Sequence, residues 1–178
     1  MYVKGNTIYE LDGENRITHI EGGWDEFLKR NSSCDKSYGS IEQKSVIGKR
    51  LEAFIDDDIT RMLIKSVIES VRYTKAIKTM TYRCDSHDTK RFMLMRVEPT
   101  TGSGLRLAHT FLKAEPLDPP LKIDPASDES EKFNIRCSIC NRVEVERTWL
   151  EPDEFSRFSG RSHIKVNYTV CPICMDAI

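Results

Sequence analysis

Four cysteines carry the clearest chemistry in this 178-residue sequence. Cys137 and Cys140 stand as C-x-x-C, and after thirty intervening residues Cys171 and Cys174 repeat the spacing. A C-x-x-C turn converges two sulfurs on one point while turn N–H groups face the thiolates, so two turns supply the four corners of a tetrahedron. Zn²⁺ takes four ligands in that geometry, with Zn–S of about 2.3 Å, and a closed four-thiolate shell leaves no position for water. The spacing predicts one structural Zn²⁺ held by Cys137, Cys140, Cys171 and Cys174. Two other chemistries use the same donors. Four thiolates also suit an iron–sulfur cluster, and C-x-x-C can act as a redox dithiol, although thioredoxin-like pairs open a helix in a βαβ setting that neither pair has. His163 lies between the pairs, but four thiolates already close the shell, and it reads as a surface residue. Cys34, in a polar loop, and Cys84, after Arg83, stand alone.

The chain between the pairs must bring them together. RVEVER alternates like a strand leaving the first turn, and HIKVNYTV alternates again and runs into Cys171. Between them Pro152-Asp153-Glu154 opens a short helix, since proline suits the first helical turn. Trp149, Leu150, Phe155 and Phe158 are its candidate core. Residues 132–178 thus read as a four-cysteine, zinc-ribbon-like mini-domain. So short a segment has too little core to fold alone, and a metal supplies what is missing: binding is worth about 10–16 kcal/mol in zinc-finger peptides. Residues 115–131 precede it and are rich in proline and acids. Proline removes backbone donors and blocks helix, so this stretch reads as an extended linker.

Residues 1–114 remain as a larger domain. Thr7–Leu11 and Arg16–Ile20 flank the polar Asp12-Gly13-Glu14-Asn15, a hairpin signal. Trp24, Phe27 and Leu28 then recur at helical spacing. A longer helix is expected from about 58 to 73, where Ile59, Met62, Leu63, Val67 and Val71 form one stripe. Asp56, Asp57 and Asp58 stand where carboxylates cap orphan N–H groups and meet the positive dipole end. The period then falls to two in AIKTMTYRC, KRFMLMRVEP and GLRLAHTFLKA, three strands separated by turn-like DSHDT and TTGSG. The fold class is α+β: a five-stranded antiparallel sheet with helices on one face. Met62, Met93 and Met95 read as core filling.

This order resembles a bacterial PAS sensor domain of a subgroup carrying W-D-x-F, G-x-x-L-x-x-F-I, R-C-D-S and R-x-M-x-M-x-V-x-P. The matches are WDEF at 24–27, GKRLEAFI at 48–55, RCDS at 83–86 and RFMLMRVEP at 91–99. His87 stands where that subgroup often has proline. The tail resembles the C-x-x-C, Trp, aromatic, C-P-x-C ending of bacterial PAS and response-regulator proteins, here Cys137, Cys140, Trp149, Tyr168 and Cys171 to Cys174. The resemblance implies a sensor whose ligand pocket would involve Trp24, Phe27 and His109, the last also a haem-ligand candidate alongside His19.

Composition narrows the function classes. The 27 basic and 28 acidic residues balance, so nothing drives the chain toward nucleic acid or an anionic membrane. In residues 131–178 seven basic side chains are matched by seven acidic ones, which argues against a nucleic-acid reader. No apolar run is long enough to span a bilayer, and no apolar h-region opens the sequence. A cytoplasmic location is expected, and there stable disulfides are uncommon. No phosphate-binding, nucleophile-elbow or metalloprotease motif occurs. The expectation is a non-catalytic cytoplasmic signal-transduction protein that acts through a signalling partner or a homodimer. The alternatives are a thiol or metal redox sensor, and a zinc-ribbon nucleic-acid-binding regulator.

Overall fold

The computed structural model describes residues 7–22, 43–55, 57–126 and 132–177. Trp24, Phe27 and Cys34, and the helical turn expected around them, lie outside these residues, as does Asp56. The chain divides into two units, Met1–Thr81 with Met93–Leu112, and Tyr82–Phe92 with Lys113–Ile178. Among the described residues no helix is long and apolar enough to cross a membrane.

The first unit is built on the expected hairpin. Strands β1 (Thr7–Leu11) and β2 (Ile17–Glu21) pair antiparallel. Between them the Asp12 carboxylate accepts the N–H groups of Glu14 and Arg16 at 2.8 and 2.9 Å, an Asx-type turn, and Asn15 takes the left-handed conformation at φ 64°. A short helix α1 (Gln43–Val46) and a 3-10 turn (Leu51–Phe54) lead to α2 (Asp58–Thr74). Asp57 caps α2, accepting from the N–H groups of Ile59 and Thr60, both at 3.0 Å. That satisfies two of the four donors a helix start leaves open. Leu63, Val67, Ile68 and Val71 form its buried stripe. Met62, expected in that stripe, is 64% exposed, because the buried arc runs through Leu63 and Ile68 and turns position 62 outward.

Strands β3 (Lys78–Arg83), β4 (Thr89–Pro99) and β5 (Leu105–Pro116) follow. They complete the expected five-stranded antiparallel sheet, in the order β2-β1-β5-β4-β3. β1 lies against β5 with Thr7 opposite His109 and Leu11 opposite Leu105. Leu11, Ile17, Ile20, Met95, Val97, Leu105 and Leu107 are buried.

The second unit carries a mixed sheet. Its strands are β6 (Lys122–Pro125), β7 (Asn134–Cys137), β8 (Val143–Val145), β9 (Thr148–Leu150) and β10 (His163–Thr169). The order is β6-β10-β7-β8-β9, with β10 parallel to both β6 and β7 and the hairpins antiparallel. Glu146 and Arg147 both have positive φ, the twist a two-residue hairpin turn requires. Helix α3 (Pro152–Ser159) starts with proline in its first turn and a reciprocal capping box between Glu151 and Glu154, as sequence chemistry favours. The core is Leu117, Leu121, Val143, Phe155, Ile164 and Val166. Phe158, expected in it, is 70% exposed: the helix buries Pro152, Phe155 and Ser156, and at about 100° per residue position 158 lies roughly 110° from the centre of that arc.

The stretch read as linker differs most from expectation. Leu117 and Leu121 are buried in the second unit's core, and β6 pairs with β10. The prolines at 119 and 120 bend the chain between two anchors.

Candidate metal centre

Parallel pairing is what brings the cysteines together. β7 and β10 run side by side in the same direction, with Thr169 opposite Cys137, so the two C-x-x-C turns leave the same end of the sheet. The Ser138 N–H closes this end by donating to Thr169 O at 2.8 Å. Beyond β7 the chain reverses through Asn141, at φ 63°. Beyond β10, Cys171 precedes the four-residue helix α4 (Pro172–Met175), with Pro172 at its first position.

The four sulfurs lie within 4.8 Å of one another, and Cys140 Sγ is 3.7 Å from Cys171 Sγ. All four are free thiols; a disulfide would hold its sulfurs at about 2.05 Å. A tetrahedron with metal–sulfur bonds of about 2.3 Å has edges of about 3.8 Å, so the cluster has the dimensions of a four-thiolate metal shell. Cys137 and Cys171 are buried, and Cys140 and Cys174 are half-buried. The N–H groups of Ile139 and Cys171 both point at Cys137 Sγ at 3.4 Å.

The thiols share protons as a group. A hydrogen bond from the Cys140 thiol, helped against burial by the N–H of Cys171, holds Cys137 down at about 4. The same bond, with burial, pushes Cys140 far up. Burial first, then a hydrogen bond to Cys171, pushes Cys174 up to about 12. Four negative sulfurs this close repel one another, and either protons or a cation must neutralise them. The donor set therefore fits a soft or borderline cation such as zinc or iron.

A charged network surrounds the site. Arg142 donates to Glu151 Oε1 at 2.9 Å, and Arg83 Nη1 donates to Glu151 Oε2. Arg83 also forks onto Asp85 through Nε and Nη2. Lys90 joins Glu151 and Asp153. Burial works against the charge on Arg83, but Asp85 and then Glu151 overcome it and hold its pKa above the ordinary value. Burial likewise opposes the charge on Glu151, and Arg83 and Arg142 outweigh it and hold the carboxyl low. The R-C-D-S arginine and aspartate are thus buried members of the network around the cysteines. Sequence reasoning quoted that motif but gave it no role. The available signal was a pair of opposite charges, Arg83 and Asp85, two residues apart at a strand end.

Of the other candidates, Trp24 and Phe27 lie outside the described residues. His109 sits edge-on to Tyr9, ring centroids 5.4 Å apart, and burial pulls its pKa down to about 4. His163 is exposed and pairs with Asp124 at 2.7 Å. Cys84 is half-buried, its N–H donating to Arg91 O at 3.0 Å.

No protein-family model matches the chain, and no curated protein matches it. Solved structures similar to it include a domain of an HTR-like protein from Haloarcula marismortui, at 11% identity and TM-score 0.44, over 61% of this chain and 98% of that one. The PAS domain of the quorum-sensing receptor RpfR from Cronobacter turicensis, in complex with C12:0, is similar at 11% identity and TM-score 0.44, over 64% and 98%. The PAS domain of BvgS from Bordetella pertussis is similar at 16% identity and TM-score 0.45, over 61% and 77%.

Proposed function

We propose that this chain is a cytoplasmic signal-transduction protein without catalytic output. Its PAS-like unit senses a small ligand or a protein partner, and one structural Zn²⁺ on Cys137, Cys140, Cys171 and Cys174 fastens the second unit. The observation that carries the metal assignment is the convergence of four sulfurs within 4.8 Å of one another at the common end of two parallel strands. Four protein thiolates close the shell, which favours a structural over a catalytic ion. The sensor assignment rests on the W-D-x-F and R-C-D-S pattern together with the sheet order β2-β1-β5-β4-β3. The signal would leave by contact with a signalling partner or a second copy. Balanced charge around the cysteines argues against nucleic acid as that partner.

Metal analysis of the purified full chain, with an absorption spectrum of the same sample, tests this. The expected result is about one zinc per chain and no visible band. Brown colour with sulfur-to-iron bands would transfer the site to iron, and a Soret band would place haem in the sensor. For the sensing half, ligand-dependent change in self-association or partner capture is expected.

A further inference from the structure

Ile139 lies between the two cysteines of the first C-x-x-C. Its N–H points at Cys137 Sγ at 3.4 Å, and its carbonyl oxygen accepts the N–H of Arg83 at 2.8 Å. One residue therefore carries a hydrogen bond to a metal-ligand sulfur and another to the end of β3. A second connection runs through charge. Arg142, two residues beyond Cys140, holds Glu151. Glu151 holds Arg83, and Arg83 holds Asp85. The side chains of Arg83 and Asp85 are only 6% and 2% exposed. Asp85 also accepts the N–H of Arg91 at 3.0 Å, closing the turn between β3 and β4.

We propose that the four-cysteine site and the β3–β4 turn are thermodynamically linked. Metal on the thiolates sets the order of residues 82–92, and the Arg83–Asp85 fork in return sets how firmly the metal is held. The physical basis is that a turn built around a buried guanidinium keeps its shape only while every carboxylate and carbonyl partner stays in place. Two acceptors are positioned by the chain that folds around the metal: Ile139 O, which takes the backbone N–H of Arg83, and Glu151, which takes its guanidinium. Loss of the ion frees the C-x-x-C turn, withdraws both partners and loosens 82–92. Linkage makes the effect reciprocal: whatever factor the metal contributes to order in the turn, the turn contributes to metal affinity. The β3–β4 turn becomes a metal-dependent element, and the sensor reading gains a second input besides any ligand. This inference rests on the metal assignment made above.

Backbone hydrogen exchange on the full chain, with metal and after chelation, reads one side directly. The amide of Arg83 is the reporter, because its acceptor is Ile139 O. The amides of Cys84, which donates to Arg91 O, and of Arg91 report the turn. Chelation should raise exchange at these three amides about ten-fold or more, within the range of ordinary coupling, while the amides of β1 and β5 in the first unit change little. Unchanged protection at Arg83, Cys84 and Arg91 in metal-free protein would overturn the linkage. The other side is metal transfer to a chromophoric chelator. Arg83→Lys keeps the charge and loses the fork, and should release zinc about ten-fold faster. Arg96→Ala, which removes an exposed pair with Glu98, should leave release unchanged. Equal rates in Arg83→Lys and wild type would overturn the proposal without touching the metal assignment. Absence of metal from the wild-type chain would remove the assignment itself.

Discussion

The N–H of Arg83 donates to the carbonyl oxygen of Ile139, 2.8 Å away. Arg83 opens the R-C-D-S motif and Ile139 lies inside a C-x-x-C turn, fifty-six residues later in the sequence. Two motifs that read as signatures of separate domains meet in one hydrogen bond. The meeting is reinforced by Glu151, which accepts from Arg83 and from Arg142. Arg83 also holds Asp85, and Glu151 also meets Lys90, so the charges are shared across a network and not confined to one pair. In this chain the contact ties the R-C-D-S motif to the four-cysteine segment.

Cys171→Ser removes one of the two buried cysteines of the cluster, whose N–H also supports Cys137 Sγ. Bound zinc should fall from about one per chain to near zero. Since metal binding in small zinc folds is worth about 10–16 kcal/mol, residues 132–177 should lose their exchange protection, and the loss should reach 82–92. The amides pairing β1 with β5 should stay protected. Retention of stoichiometric metal and of a protected tail would refute the structural role.

Zinc entry should release protons. In the metal-free cluster Cys140 lies far above the ordinary thiol range and Cys174 is pushed up to about 12, so both carry protons at pH 7. A bound ion requires thiolates, so at least two protons should leave per ion at pH 7, measured by calorimetry in buffers of different ionisation enthalpy. Affinity should fall steadily as pH is lowered. Proton-independent binding would mean that these sulfurs are not the ligands.

The parts of this architecture that rest on local chemistry were legible. Apolar spacing with Asp57 ahead of it marked α2, period-two runs marked β3, β4 and β5, and Pro152 marked α3. The four candidate ligands were readable from their repeated C-x-x-C spacing, and the structure gathers their sulfurs within 4.8 Å of one another. What escaped was non-local. Strand β7, only Asn134–Cys137, is too short for a periodic signal and exists because β8 and β10 flank it. The parallel partnership of β7 and β10, which aligns the two turns, cannot be read from either strand. Arg83 and Asp85 entered only as part of a motif match, because the buried network they join includes a carboxylate sixty-eight residues away from Arg83. In 115–131 the prolines outweighed Leu117 and Leu121, although two large apolar residues four apart were the sign of an anchored turn.

His109 makes the first unit acid-sensitive. Burial pulls its pKa down to about 4, against about 6.5 for a free imidazole. Between those values the unfolded chain takes up a proton that the folded chain refuses, so its contribution to stability is full above pH 6.5 and is lost as pH falls toward 4. The melting midpoint of the first unit should drop across that window. His109→Phe keeps a ring beside Tyr9 and removes the titration, and should flatten the slope. An unchanged slope in the variant would show that other groups carry it.

Leu121→Ala separates an anchored turn from a passive linker. Leu121 is 1% exposed and packs in the core with Leu117, Phe155, Ile164 and Val166, while its N–H donates to His87 O at 2.8 Å. Truncating a buried leucine costs about 2–5 kcal/mol, depending on how far the cavity collapses. The loss should fall on the second unit, seen as a lower denaturant midpoint for a probe such as Trp149 fluorescence. It should also speed zinc release, because β6 and β10 share the core that Leu121 fills. Mutation of Lys122, an exposed neighbour, should move neither quantity by more than about 0.5 kcal/mol. Equal midpoints for Leu121→Ala and wild type would restore residues 115–131 to a simple tether, since a tether has no core contact to lose.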